Sequence, residues 1–231
     1  MGKIVIAIDG FSGCGKSSTA KAVAKELGYT YIDSGAMYRA ATLHFLNQQT
    51  DLSDPQAVAE SLKTLDIAFK KTEEKDQQET FLNGENVEHE IRSMRVSDFV
   101  SEVSKLKTVR QELVSQQQRL GKNKGVVMDG RDIGTVVFPE AELKVFMTAD
   151  LEIRSKRRQK ELFSQGATIP LEKIVQNLAE RDQIDSSREE SPLRKASDAV
   201  EVDTSYMDFN EQVGQIVELS QSKIGRLNAN I

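Results

Sequence analysis

Taken as apolar and polar positions, the chain alternates short apolar runs with longer stretches at helical spacing. Lys3 to Asp9 (KIVIAID) is nearly all apolar and rich in β-branched residues, the composition of a parallel strand buried on both faces. Lys16 to Leu27 (KSSTAKAVAKEL) spaces its apolar residues as a helix does and stops at Gly28, a C-cap residue. Tyr29 to Ile32 predicts a second strand, and Ser34 to Leu46 a second helix. Val126 to Asp129 (VVMD), Leu143 to Thr148 (LKVFMT) and Ala199 to Asp203 (AVEVD) predict further strands. Asp150 to Phe163, Pro170 to about Arg188 and Asn210 to Lys223 predict helices. This order is that of an α/β fold: three layers, with a parallel sheet of about five strands between helices.

One stretch breaks the alternation. Leu65 to Lys71 (LDIAFKK) alternates like a half-exposed strand, and Glu79 to Val87 (ETFLNGENV) carries Asn83-Gly84 in a hairpin position. The charged segment TEEKDQQE separates the two. They predict antiparallel strands outside the main sheet, in a subdomain inserted at residues 34–111. The core would then comprise 1–33, 112–150 and 189–231, with a lid region and its flanking helices at 151–188.

Composition narrows the class. Of 231 residues, 38% are hydrophobic and 29% charged, enough for one large core with insertions. The net charge of −5 argues against a broad basic face, so neither nucleic acid nor membrane is an expected partner. Cys14 is the only cysteine, which precludes an intrachain disulfide and suits a reducing compartment. No signal-peptide pattern or long apolar span is present, so a cytoplasmic location is expected. A monomer is expected, because no additional apolar surface helix stands out.

The chemistry begins between the first strand and the first helix. Gly10-Phe11-Ser12-Gly13-Cys14-Gly15-Lys16-Ser17 matches G-x-x-x-x-G-K-[ST], with Ser18 next. Glycines let successive N–H groups turn toward phosphate oxygens, and the helix dipole faces the same anion. Lys16 would reach the β- and γ-phosphates, and Ser17 would ligate Mg²⁺. The bland alternative is a glycine turn. Cys14 reads as a small filler residue, although a thiol near a helix N-terminus gains some reactivity. The N-K-x-D of a G protein is not formed, since Gly125-Val126 follows Asn123-Lys124. Val126 to Asp129 ends in one acid and continues Gly130-Arg131-Asp132, where an arginine suggests a second anion.

Further arginine clusters support that anion. Asp33 to Arg39 (DSGAMYR) and Asp129 to Asp132 follow the second and third strands of the sheet, so with the phosphate loop they lie at carboxyl strand ends, where such sheets bind ligands. Arg181, Asp185 and Arg188 fall at i, i+4 and i+7 of one helix face, which a surface salt-bridge ladder would also explain. Arg154, Lys156, Arg157, Arg158 and Lys160 crowd one helix before a loop containing Gly166. That pattern predicts a mobile lid bringing Arg154, Arg157 and Arg158 to a transferring phosphoryl group; a solvated face paired with Glu152 and Glu161 is the alternative.

The phosphate loop, D-S-G-A-M-Y-R, D-G-R-D-I-G-T-V-V-F-P and E-R-D-x-x-D-x-x-R together resemble the bacterial cytidylate (CMP) kinases, nucleoside monophosphate kinases of P-loop NTPase-like fold, from about residue 3 to residue 220. The resemblance implies transfer of the ATP γ-phosphoryl group to CMP or dCMP, with Mg²⁺ as cofactor. It places ATP on Gly10, Phe11, Ser12, Gly13, Cys14, Gly15, Lys16, Ser17 and Ser18, and Mg²⁺ on Ser17 and, through water, Asp129. Arg39 and Arg131 would grip the acceptor phosphate, Ser101, Arg110, Asp132 and Arg188 would read the cytosine edge, and Arg181 and Asp185 would hold the ribose. Ser34, Tyr38, Asp129 and Gly130 complete the implied acceptor site. Lys16, Arg131, Arg154, Arg157 and Arg158 would carry the transfer. From spacing alone Ser101 and Arg110 read as surface residues of charged helices. A kinase of another monophosphate or small metabolite would have no cytosine to read, and a nucleotide-dependent switch would show no acceptor dependence.

Overall fold

The computed structural model describes residues 2–72, 75–164 and 166–229. In chain order its elements are β1 (Val5–Gly10), α1 (Lys16–Leu27), β2 (Thr30–Asp33), α2 (Ser34–Gln48), α3 (Pro55–Leu62), β3 (Ile67–Thr72), β4 (Lys75–Leu82), β5 (Glu85–Asn86), α4 (Met94–Ser97), α5 (Val100–Val103), α6 (Lys107–Gly121), β6 (Val126–Gly130), β7 (Leu143–Thr148), α7 (Leu151–Ser164), α8 (Leu171–Ser187), β8 (Val200–Asp203) and α9 (Phe209–Ala229). A 3-10 turn covers Glu90–Arg92 and a π turn Ile133–Val137. The chain divides into two compact units, one running to Tyr31 and resuming at Gly121, the other Ile32–Leu120.

In the first unit the sheet order is β2-β6-β1-β7-β8. β1 pairs in parallel with β6 on one side and β7 on the other, and β8 pairs in parallel with β7. Every residue of β1 is buried, which is why its sequence is apolar from Val5 to Ile8. Ile4, Ile6 and Ile8 meet Val127, Val145 and Met147 of the sheet, Ala20 and Val23 of α1, and Val213 and Ile216 of α9 in one core. Parallel pairing sends the carboxyl ends of β1, β6, β7 and β8 the same way, so the loops after Gly10, Gly130, Thr148 and Asp203 share one edge.

The second unit is built around α2, which packs against α3, α4, α5 and β4 and is buried almost all round. Asp33 caps it by accepting the Ala36 N–H at 2.8 Å. The antiparallel sheet β3-β4-β5 differs from expectation in extent. β3 continues to Thr72 and β4 begins at Lys75, so the charged segment is mostly strand; Glu73 and Glu74 lie outside the described residues. Lys70 stands opposite Glu79, an opposite-charge cross-strand pair. Asn83 and Gly84, with φ of 49° and 87°, form the two-residue turn joining β4 to β5. α3 is an element the periodicity did not predict; its signals are local, Asp54 accepting the Gln56 N–H at 2.8 Å and Pro55 at the first position.

Two boundaries correct the expected helix ends. α8 stops at Ser187, and Arg188 is extended (φ −61°, ψ 144°), so Arg188 does not share the helical face of Arg181 and Asp185. α9 runs on to Ala229.

Gly10 marks where the sheet is tightest. At φ +142° its backbone runs so close to β7 that an alanine Cβ would sit 2.0 Å from the Met147 carbonyl oxygen. Gly28, the αL C-cap of α1, has φ +66° and open space around it. Gly10→Ala should therefore lower stability by about 3 kcal/mol or more, and Gly28→Ala by only about 1 kcal/mol. Urea unfolding of both variants checks the ranking.

Candidate active site

The loop from Gly10 to Ser17 turns on Gly13 and Gly15, at φ +79° and +93°. Its carbonyls are tied down from within: Lys16 Nζ and Cys14 Sγ donate to the Phe11 carbonyl at 2.5 and 3.0 Å, and Nζ lies 3.6 Å from Cys14 Sγ. The Cys14 carbonyl accepts from Thr204 Oγ1 at 2.9 Å. With its carbonyls committed this way, the loop and the α1 N-terminus are left to present N–H groups, the donor set that an anion needs. Burial holds the Lys16 ammonium below the usual lysine range, and the nearby Arg131 charge acts in the same direction. An anion would relieve both.

Ser17 Oγ, in the first turn of α1, donates to Asp129 Oδ2 at 2.8 Å, and Tyr31 Oη donates to Asp129 Oδ1 at 2.8 Å. Asp129 is buried at the end of β6. Ser17 and Asp129 therefore offer hard oxygen donors side by side, which fits Mg²⁺. Among the described residues no group of three or more His, Cys, Asp or Glu side chains forms a dedicated metal cage, as is usual for an ion held largely by substrate phosphates and water.

Beyond Gly130 the chain carries Arg131 and Asp132 into the π turn. Arg131 Nε donates to Asp185 Oδ2 at 2.7 Å. Burial would raise the Asp185 carboxyl, but Arg131 beside it, with Arg188 and Arg181, holds it below the usual carboxylate range. Asp132 is buried, 3.9 Å from the Arg188 guanidinium, whose other arm is 3.7 Å from Asp185. Arg131, Asp132, Asp185 and Arg188 thus form one cluster, with Arg181 contributing its charge, despite the break at the end of α8.

The arginines of α7 differ in their surroundings. Arg154 is buried: Nε donates to the Ala149 carbonyl at 2.9 Å, Nη1 to the Ser12 carbonyl at 3.0 Å and to Asp182 Oδ2 at 2.7 Å, and the guanidinium lies 5.3 Å from the Phe11 ring centre. Arg157 donates to the Thr204 carbonyl and hydroxyl at 2.5 and 3.1 Å. Arg158 meets Glu161 at 2.8 Å and Lys156 meets Glu152 at 2.5 Å. Arg154, Lys156 and Arg158 thus meet carboxylates, and Arg157 the oxygens of Thr204. Gln165, the residue after Ser164 in sequence, lies outside the described residues.

In the second unit, Arg39 meets Asp33 at 3.2 Å, and its Nε is buried with no hydrogen-bond partner among the described residues. Ser34 is buried at the start of α2. Arg110 is buried, not exposed as its spacing suggested: it stacks 5.4 Å from the Tyr38 ring centre and donates to the Ser104 carbonyl at 3.2 Å. Ser101 is half-buried on α5.

Several participants carry no sequence signal of their own. Tyr31 on Asp129, Asp182 on Arg154 and Thr204 between Arg157 and the phosphate loop come from distant segments. Arg92, 3.6 Å from Asp33, is another.

A family model described as cytidylate kinase matches residues 6–222. A cytidylate kinase of Cytophaga hutchinsonii is 52% identical over 231 residues, covering 100% of this chain and 99% of that protein. One of Phocaeicola vulgatus is 52% identical over 227 residues, covering 97% and 99%. A solved structure of an uncharacterized protein from Eubacterium ventriosum aligns with a TM-score of 0.50 at 12% identity, covering 96% of this chain and 99% of that one, a likeness of fold. With a phosphate loop at the end of β1, the Asp129–Asp132 turn at the end of β6 and relatives matched along their whole length, the chain belongs to the cytidylate kinase family.

Proposed function

We propose that this chain transfers the γ-phosphoryl group of ATP to CMP and dCMP, giving the diphosphate and ADP. The observation that carries this reading is the Arg131–Asp132 turn, with Asp132 buried and Arg131 half-buried, which follows β6 where β6 pairs with the strand leading into the phosphate loop. One segment grips an acceptor anion and the other a donor polyphosphate. The family's substrate fits the charges available: cytosine offers an amino donor and the N3 and O2 acceptors, which match Asp132 as acceptor and Arg188 as donor.

An oxygen of the acceptor phosphate attacks the γ-phosphorus in line while the bond to the β-bridging oxygen breaks. That oxygen is already a nucleophile, so no side chain need serve as base. Catalysis is then positioning and charge neutralisation. The loop N–H groups and Lys16 hold the donor. Asp185 engages Arg131 through Nε, leaving most of its guanidinium donors for the acceptor phosphate. Arg39 serves the same phosphate, and its buried Nε is a donor that such an anion would satisfy. The family resemblance implies a base-reading role for Asp132 and Arg188 in the first unit and for Ser101 and Arg110 in the second, ribose binding by Arg181 and Asp185, and acceptor-site roles for Ser34, Tyr38 and Gly130. Ser17 and, through water, Asp129 would hold Mg²⁺, which would supply neutralisation of the polyphosphate. Arg154 steadies the loop from below through Ser12, while Arg157 and Arg158 act on the transferring group after the lid region closes. All assigned residues come from one chain, so a monomer suffices. The lone Cys14 and the absence, among the described residues, of a helix long and apolar enough to cross a membrane are compatible with a cytoplasmic enzyme.

The direct test is ADP formation from ATP with CMP, dCMP, UMP, AMP or no acceptor. Strong stimulation by CMP and dCMP is expected; ADP release indifferent to the acceptor would refute the reading.

Lys16→Ala removes the charge at the donor phosphates, and kcat should drop on the order of 10²-fold or more in a folded protein. Near-normal turnover would remove Lys16 from the transfer.

Arg157→Ala and Arg158→Ala should lower kcat while the KM for CMP stays within about twofold. Arg154→Ala should in addition cost about 1–3 kcal/mol of stability, because Asp182 loses its buried partner. Unchanged kcat in all three would mean a purely structural helix.

Uracil presents a carbonyl where cytosine presents its amino group. UMP should therefore be disfavoured by roughly 10- to 10³-fold in kcat/KM. Asp132→Ala should slow CMP much more than UMP. Equal slowing of both would show that Asp132 only supports Arg131.

A further inference from the structure

Asp9 has no part in the mechanism above, yet it is 4% exposed and charged-type in a strand otherwise apolar up to Gly10. Its two carboxylate oxygens accept from consecutive peptides of the π turn: Oδ1 from the Ile133 N–H at 2.8 Å and Oδ2 from the Gly134 N–H at 2.7 Å. One residue earlier in the turn is Asp132, and before it Arg131. The β1–β6 register places Asp9 itself beside Gly130. The chain is thus fixed at Gly130 by the sheet and caught again at Ile133 by the Asp9 side chain. Between those two points lie only Arg131 and Asp132. The Asp132 carbonyl then accepts the N–H groups of Val136 and Val137 at 2.9 and 3.2 Å, closing the turn.

Gly134 keeps this contact short. A Cβ there would sit 3.2 Å from Lys144 Cδ and 3.3 Å from Asp9 Oδ2. Lys144 cannot readily move aside, because its ammonium is held by Asp198 at 2.9 Å.

We propose that Asp9 is a positioning residue for the acceptor: by clamping Ile133 and Gly134 it sets the spacing of Arg131 and Asp132, and so contributes to the choice of nucleobase. The inference rests on the cytidylate kinase reading. An apolar residue would fill the same buried position without the desolvation that pushes the Asp9 carboxyl up to about 7 against the pull of its two backbone N–H groups. The carboxylate is the one small side chain that accepts at both ends.

Asp9→Asn tests it, since the amide accepts one N–H and opposes the other with its own donor. Steady-state kinetics on the full chain would vary CMP, UMP and ATP in turn. The expected result is a KM for CMP raised about 10-fold, a KM for ATP changed less than about twofold, and a CMP-over-UMP preference reduced at least about 5-fold. Gly134→Ala, which presses on the same carboxylate from the turn side, should move the preference in the same direction by a few-fold, and it decides the matter if Asp9→Asn does not fold. Equal losses on CMP and UMP, with ATP affected alike, would overturn the clamp and leave Asp9 a stability residue. A wild-type chain that does not use CMP would overturn the functional reading and the clamp together, whereas a CMP-dependent wild type whose variants keep its preference overturns the clamp alone.

Discussion

Asp129 sits at the carboxyl end of β6 with each oxygen occupied at 2.8 Å, one by Ser17 and one by Tyr31. A carboxylate buried there is tolerable only if it is fully hydrogen-bonded, because desolvating an unmatched charge costs more than most single contacts return. The same constraint recurs along this edge of the sheet. Asp9 is bonded to two peptides, Arg131 to Asp185, and Arg154 to Asp182 and the Ser12 carbonyl. A site for two polyanions needs this density of charge, and the protein holds it by pairing each group with a partner from a different segment.

That pairing makes the first unit stiff where phosphates would bind. Thr204 links α7 to the phosphate loop, since it takes the Arg157 guanidinium and gives its hydroxyl to the Cys14 carbonyl. Arg154 reaches the same loop from below. Motion of α7 and α8 would therefore be felt at the loop through hydrogen bonds, without any change in the sheet. The second unit follows the same rule on a smaller scale: Asp33 caps α2 and meets Arg39 and Arg92, so one carboxylate orders a helix start and two arginines.

The sequence by itself determined the parallel sheet and its phosphate loop. Residues 143–148 and 16–27 are a strand and a helix as their patterns predict, because a strand buried on both faces has little choice but β-branched and apolar residues, and a glycine ends α1 by conformation alone. The turn at Asn83-Gly84 is equally local. The motif residues Lys16 and Ser17 were legible because a phosphate loop has these types at fixed spacing, Arg131 because an arginine beside such a loop suggests a second anion, and Asp129 and Asp132 only through the resemblance of D-G-R-D-I-G-T-V-V-F-P to the family's motif. Only the tertiary structure decided the rest. Arg110 looks like a surface residue in a charged helix and is buried against Tyr38; Arg154 looks like part of a solvated face and is buried against Phe11. Arg188 leaves the helix that its spacing suggested and still meets Asp132 and Asp185. Periodicity reports which side of an element is apolar, whereas burial of a charged side chain depends on whether a partner arrives from elsewhere in the chain. Asp9, Tyr31, Asp182 and Thr204 are such partners, and their roles exist only once folding brings separated segments within hydrogen-bond distance.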